Sequence, residues 1–249
     1  MTKWILRLTL LLIPTLLFAQ TAVQKDAAQA YEKGDFTKSA ELYQSLADEN
    51  YQSADLYLNL GNAYYKSGNV AKAILNYERG LLIAPGDADL KTNLEIAHLK
   101  TVDRIEPAGE IFLSRWMDSV RNLYSSNQWA IIAIASFILL LGCFALYFIG
   151  GKVWMKKVAF FSALLLIVLT IFANVASAEQ KVRMVERNSA IIFAKSVTAK
   201  STPSESGTDL FVLHEGTKVK VRTKVGNWNE VQLSDGNVGW IPADKLEII

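Results

Sequence analysis

Few residues in this chain could do chemistry on a substrate. Among 249 residues there are two histidines and one cysteine. His98 sits in a helical stretch, His214 beside a Glu215-Gly216 turn, and Cys143 within an apolar run. No phosphate-cradling glycine loop, paired metal spacing or nucleophile elbow accompanies them. The two histidines fall in segments of different character, so no joint acid–base site is expected. The chain reads as a non-enzyme with no cofactor and no metal, and a single cysteine allows no disulfide within it. Residues suited to binding are denser. In YLNLGNAYYK (57–66), tyrosines offer apolar area with a polar tip, while Asn62 and Lys66 can hold a peptide backbone or a carboxylate.

Positioning those side chains requires helices. Sliding the sequence by 34 residues superposes Tyr31 on Tyr65, Gly34 on Gly68, Lys38 on Lys72 and Tyr43 on Tyr77. A helix–turn–helix unit of that period is the tetratricopeptide signature. Residues 54–87 resemble that family at Tyr57, Leu60, Gly61, Tyr64, Gly68, Ala73, Tyr77, Gly80 and Pro85. The resemblance implies that Gly61 admits the second helix, that Ala73 and Tyr77 fill the contact, and that Gly68 makes the turn. Pro85 ends the unit because it cannot continue a helix. It also implies a concave groove lined by Tyr31, Glu32, Leu58, Asn62, Tyr65 and Lys66. The expected stack covers 20–104: an atypical copy at 20–53, with Ala27 and Ser39 in place of Gly61 and Ala73, the copy at 54–87, and a capping helix at 88–102.

Hydropathy divides the rest. Residues 3–18 have a short basic start and an apolar run, as in an export signal ending near residue 19. Residues 129–149 and 158–178 contain no charge; at ~1.5 Å per residue each covers a ~30 Å hydrocarbon core. The connector 150–157 carries Lys152, Lys156 and Lys157 and no acid, which places it in the cytoplasm and both flanks outside. Before the first span, residues 105–128 include an amphipathic stretch with Leu113, Trp116, Met117 and Val120 on one side. It fits equally a helix lying in the membrane interface or the last helix of the stack. Net charge is only +2, which gives no reason to expect nucleic acid.

Residues 182–249 change to short β-rich runs at 190–194, 210–213, 217–223, 229–233 and 238–241, separated by turn signals. Five strands in so short a segment predict a small closed barrel. Gly216, Trp228, the Asp235-Gly236 turn and Gly239-Trp240 resemble bacterial SH3-like domains, with Trp240 expected in the core. The fold class is therefore a multidomain membrane protein: an all-α repeat stack, a two-helix transmembrane hairpin and an all-β SH3-like barrel.

The order of these parts resembles the BatE-type proteins of the Bacteroides aerotolerance group. That resemblance implies an inner-membrane scaffold with both soluble parts in the periplasm. It further implies protein partners of the von Willebrand type and a MoxR-type ATPase, in envelope or oxidative stress tolerance. Two other readings stand beside it: a cell-wall sensor whose barrel binds peptidoglycan, and an accessory subunit of a transport or secretion machine.

Overall fold

A computed structural model describes residues 21–105, 109 and 112–249; the expected export signal lies outside them. Two compact units emerge. One takes in the described residues up to Leu81, those from Asp87 to 105, and Asn188–Ile249; the other is Leu82–Gly86 with Gly109–Arg187.

In the first unit, helices α1 (residues 21–32), α2 (Phe36–Asp48), α3 (Ala54–Lys66), α4 (Val70–Ile83) and α5 (Ala88–His98) follow one another. Their ends repeat with the same 34-residue period as their faces. Ser53 and Asp87 each accept a hydrogen bond from the backbone N–H three residues on, starting α3 and α5. Asp35 and Asn69 do the same for α2 and α4. Such caps satisfy N–H groups that a helix start leaves without partners. Gly34 and Gly68 turn the chain between helices at φ +79° and +87°, a region where a Cβ is strained. Ala27, Ala40, Tyr43, Leu46, Leu56, Leu60 and Ala63 form one core between the first helices.

The C-terminal strands are β1 (Ser189–Ile192), β2 (Ser196–Lys200), β3 (Asp209–His214), β4 (Lys218–Val225), β5 (Trp228–Gln232), β6 (Val238–Pro242) and β7 (Leu246–Ile248). They make one antiparallel sheet in the order β3-β2-β6-β5-β4-β1-β7. Where the sequence predicts a closed barrel, the hydrogen-bonded ladder is open, with β3 and β7 at its two edges. β2 joins β6 only through Lys200 and Trp240, so that side of the ladder is thin. Strand β2, with the alternating pattern SVTAK, is the element the sequence reading passes over. Its core comprises Ala190, Ile192, Val197, Ala199, Leu213, Val219, Val231, Leu233 and Ile241. Trp240 is not in it. Strand alternation turns Gly239 and Ile241 inward and leaves Trp240 half-buried on the other face. A Cβ on Gly239 would lie 2.8 Å from that of Ala199, so no larger inward residue fits there.

The second unit holds α6 (Phe112–Arg121), α7 (Ser126–Ile149) and α8 (Val153–Glu186). The last two have 24 and 34 residues and are long and apolar enough to cross a membrane. α8 extends past the apolar run at both ends, so Lys156 and Lys157 lie in its first two turns rather than in a loop. Small residues bring the pair together: Ala133 and Ser136 on α7 and Ala173 and Ala176 on α8 are buried. Ser136 and Thr170 share a 2.8 Å hydrogen bond across the contact. Each hydroxyl also bonds a carbonyl of its own helix, Ser136 that of Ala133 and Thr170 that of Leu166, so the pair is satisfied inside the contact.

Candidate functional site

The candidate surface is built on α3 and α5. Leu60, Ala63 and Tyr57 are buried on one side of α3, which leaves Leu58, Asn62, Tyr65 and Lys66 on the side that is half-buried or exposed. The inner contact depends on Gly61. A Cβ there would overlap the Tyr77 ring at Cε1 and come within 2.6 Å of Cδ1. Tyr77 is only 1% exposed, and its hydroxyl donates to Asn62 Oδ1 at 2.8 Å. Burial pushes the pKa of that hydroxyl well above the ordinary phenol range, with Tyr31 and Tyr65 adding to the rise. Gly80 repeats the device, since a Cβ on it would lie 2.7 Å from Leu90. Ala73 is fully buried, Pro85 is buried and Tyr64 is half-buried, its hydroxyl donating to Gln44.

Two of the sequence-selected groove residues are already occupied. Asn62 Oδ1 also accepts from Asn93 Nδ2 of α5 at 3.0 Å, so its oxygen joins α3, α4 and α5. Tyr65 carries the Lys100 ammonium 4.4 Å above its ring centre, a cation–π contact. Tyr31 meets Phe36 edge-on at 5.1 Å, and Glu32 is exposed. Lys100, Ile96 and Leu99 extend this surface; by sequence Ile96 and Leu99 count only as apolar positions of the capping helix, not as groove residues. The period contains the signal: 34 residues after Asn62, Tyr65 and Lys66 stand Ile96, Leu99 and Lys100. Leu99 is 71% exposed, which makes an apolar strip edged by two lysines.

The repeat helices also meet the terminal sheet, within the same compact unit. Glu78 of α4 pairs with Lys218 of β4 at 2.7 Å. Arg79 donates to Glu247 and to the Ile248 carbonyl of β7, each at 3.0 Å. Past α5, the Asp103 carboxylate accepts three bonds at 2.7 Å: from the His214 backbone N–H, the His214 Nδ1–H and the Thr217 hydroxyl. Desolvation alone would raise the Asp103 pKa. The bonds from Thr217 and from His214 outweigh it and hold the carboxyl below its ordinary value. Ile105 packs on the sheet core. Gly216, at φ +86°, lets the turn approach Thr101 and Ile74. His98 lies in the field of Glu78 and Lys218, and burial lowers its pKa. The two histidines expected to be unrelated thus belong to one seam. Its partners hold structural hydrogen bonds, and among the described residues no His/Cys/Asp/Glu group could hold a metal.

A second surface lies on the sheet. Glu205, Asn227, Trp228, Pro242, Ala243 and Asp244 line an open depression. The Ala243 N–H donates to the Asn227 carbonyl at 2.7 Å, which ties the β4–β5 turn to the short helix before β7. Gly236, at φ +97°, makes the β5–β6 turn.

Residues 54–87 match the tetratricopeptide-repeat family. No curated protein matches the chain.

Proposed function

We propose that this protein is a membrane-anchored interaction scaffold that takes a segment of a partner protein on the α3/α5 surface. The observation that carries this reading is the repeat at residues 54–87, with its non-core face left half-open. Repeat stacks of this kind offer extended surfaces rather than catalytic pockets. The proposed contacts are Leu58, Tyr65 and Leu99 for apolar area and Lys66 and Lys100 for carboxylates, beside Tyr31 and Glu32; Asn62 contributes its amide N–H groups.

The proposed anchor is the α7–α8 hairpin, with spans at 129–149 and 158–178, the lysine connector 150–157 in the cytoplasm, and both soluble parts in the periplasm. Its support is the length and composition of the two helices. A further support is that residues before and after them share one compact unit, which needs an even number of crossings. The other proposed boundaries are an export signal at 1–19, repeats at 20–104, a juxtamembrane segment at 105–128 and an SH3-like domain at 182–249. The aerotolerance setting, with von Willebrand-type partners, rests on the order of parts alone.

Partner recovery from gently solubilised membranes tests the surface. Tyr65→Ala and Lys66→Glu are expected to reduce recovery several-fold while circular dichroism stays unchanged. Folded variants that recover the partner in full would remove this face from the account. The depression at Trp228 and Pro242 favours a second reading, in which the sheet binds a wall-derived ligand. Retention of the full chain on purified sacculi, lost in Trp228→Ala, would support it.

A further inference from the structure

We propose that α6 lies in the membrane–water boundary and that its exposed apolar face rests on lipid. The inference rests on the reading that α7 and α8 cross a bilayer.

Helix periodicity sorts α6 cleanly. At about 100° per residue, Phe112, Leu113, Trp116, Met117 and Val120 occupy an arc of about 140°. Ser114, Arg115, Asp118 and Arg121 occupy the rest. The apolar arc is uncovered at one end: Phe112 is 81% exposed, Leu113 62% and Trp116 54%. No residue of this helix is fully buried, and packing within the chain leaves Phe112, Leu113 and Trp116 uncovered.

Two sets of contacts fix where that face points. The polar arc is tied to α8. Asp118 accepts from Arg183 at 3.1 Å, and Arg121 pairs with Glu179 at 2.7 Å. Gln180 donates to the Arg121 carbonyl and to Asn122, each at 3.0 Å. Glu179 is the first charged residue after the apolar run of α8, and Glu179 to Arg183 rises only ~6 Å along the helix. α6 is therefore held at the level where that run ends. The apolar arc faces the other way. Its inner end, Val120, packs on the cluster of Trp129, Ala133, Ala173 and Ala176 between α7 and α8. Trp116, Leu113 and Phe112 continue the same arc outward from Val120. The apolar arc of α6 is thus joined to the apolar contact of the hairpin at Val120. Tyr124 and Trp129, in edge-to-face contact at 5.3 Å, place aromatic rings at the junction, as boundary layers favour. A helix with one strongly apolar face and a charged opposite face suits a lipid surface rather than water.

The test uses the full chain in phospholipid nanodiscs, with Cys143 replaced by serine. An environment-sensitive dye is placed on single cysteines at 112, 113 and 116, at 114 on the polar arc, and at 139 in mid-span. Dyes at 112, 113 and 116 are expected to be quenched several-fold more by shallow nitroxide lipids than by a water-soluble quencher, and the dye at 114 the reverse. Dyes at 112 and 116 as open to the aqueous quencher as that at 114 would overturn the proposal. So would shielding from both quenchers, which would mean that protein covers the face. Deep nitroxide lipids are expected to quench the dye at 139. If they fail to do so, the membrane reading itself falls, whereas quenching at 139 without quenching at 112 and 116 removes only the placement of α6.

Discussion

The contact between α3 and α4 and the seam between the repeats and the terminal sheet solve the same problem with opposite chemistry. At the first, Gly61 makes room for a fully buried Tyr77 ring, and beside that ring the polar pair is the Tyr77 hydroxyl and its Asn62 acceptor. At the second, a carboxylate with three donors and two ion pairs carry much of the contact. The apolar contact tolerates no added atom, because close-packed interiors cannot yield to a new methyl without moving a ring. The polar seam tolerates volume better but not the loss of a partner, since a buried donor without an acceptor costs more than the bond contributed.

The largest effect is expected where packing is tightest. Gly61→Leu should destabilise the repeats by ~3 kcal/mol or more, seen as a lower midpoint in the thermal loss of helical signal. Gly61→Ala should also destabilise, although alanine favours helix by about 1 kcal/mol elsewhere. A stabilised Gly61→Ala variant would mean that Tyr77 can move aside, and the comparison would lose its first half.

Asp103→Ala should come next. It strands the His214 N–H, the His214 ring N–H and the Thr217 hydroxyl, at about 1–3 kcal/mol in all once water enters. Hydrogen exchange of the full chain should accelerate at 189–220 and along α4, with helical content retained. Unchanged exchange in both stretches would show that the apolar contacts of Ile105 and Gly216 suffice to hold the seam.

Charge reversal at Glu78 and Lys218 should be milder, because Lys218 is 44% exposed and water screens such pairs. Lys218→Glu should loosen the seam by about 1 kcal/mol or less, and Glu78→Lys by more, because Glu78 is buried and the new charge would sit beside Lys218. The double reversal should restore part of the loss. Absence of any recovery would mean the pair is incidental.

Acid should have the gentlest onset. The folded pKa of His98 is lowered from 6.5 by burial, so the unfolded chain takes up the proton first. Stability is full above 6.5 and declines as pH falls below it. The folded pKa of Asp103 is also lowered, from 3.8. Its contribution is present above that value and is lost as pH falls through the folded pKa. Thermal midpoints of the full chain are expected to fall in these two steps, and Asp103→Asn should abolish the lower one.

What the sequence by itself determined is what depends on neighbours in the chain. The 34-residue period, the glycine turns at Gly34 and Gly68 and the two apolar helices were legible, because caps, turns and helix faces are set within a few residues of one another. The cap pairs Ser53/Asp87 and Asp35/Asn69 carry the same period and could have been read too. Trp240 was misassigned because a strand's inward parity follows from its partners' register, here Glu230 opposite Trp240. Asn62 looked like a groove residue because its internal partners, Tyr77 and Asn93, lie 15 and 31 residues away. Only the tertiary structure decided the seam. Asp103 meets His214 and Thr217 across 111 and 114 residues, and Arg79 meets Glu247 across 168. Polar pairs at such separation leave no periodic trace, since a single carboxylate in a loop has the same local sequence whether it faces water or three part-buried donors.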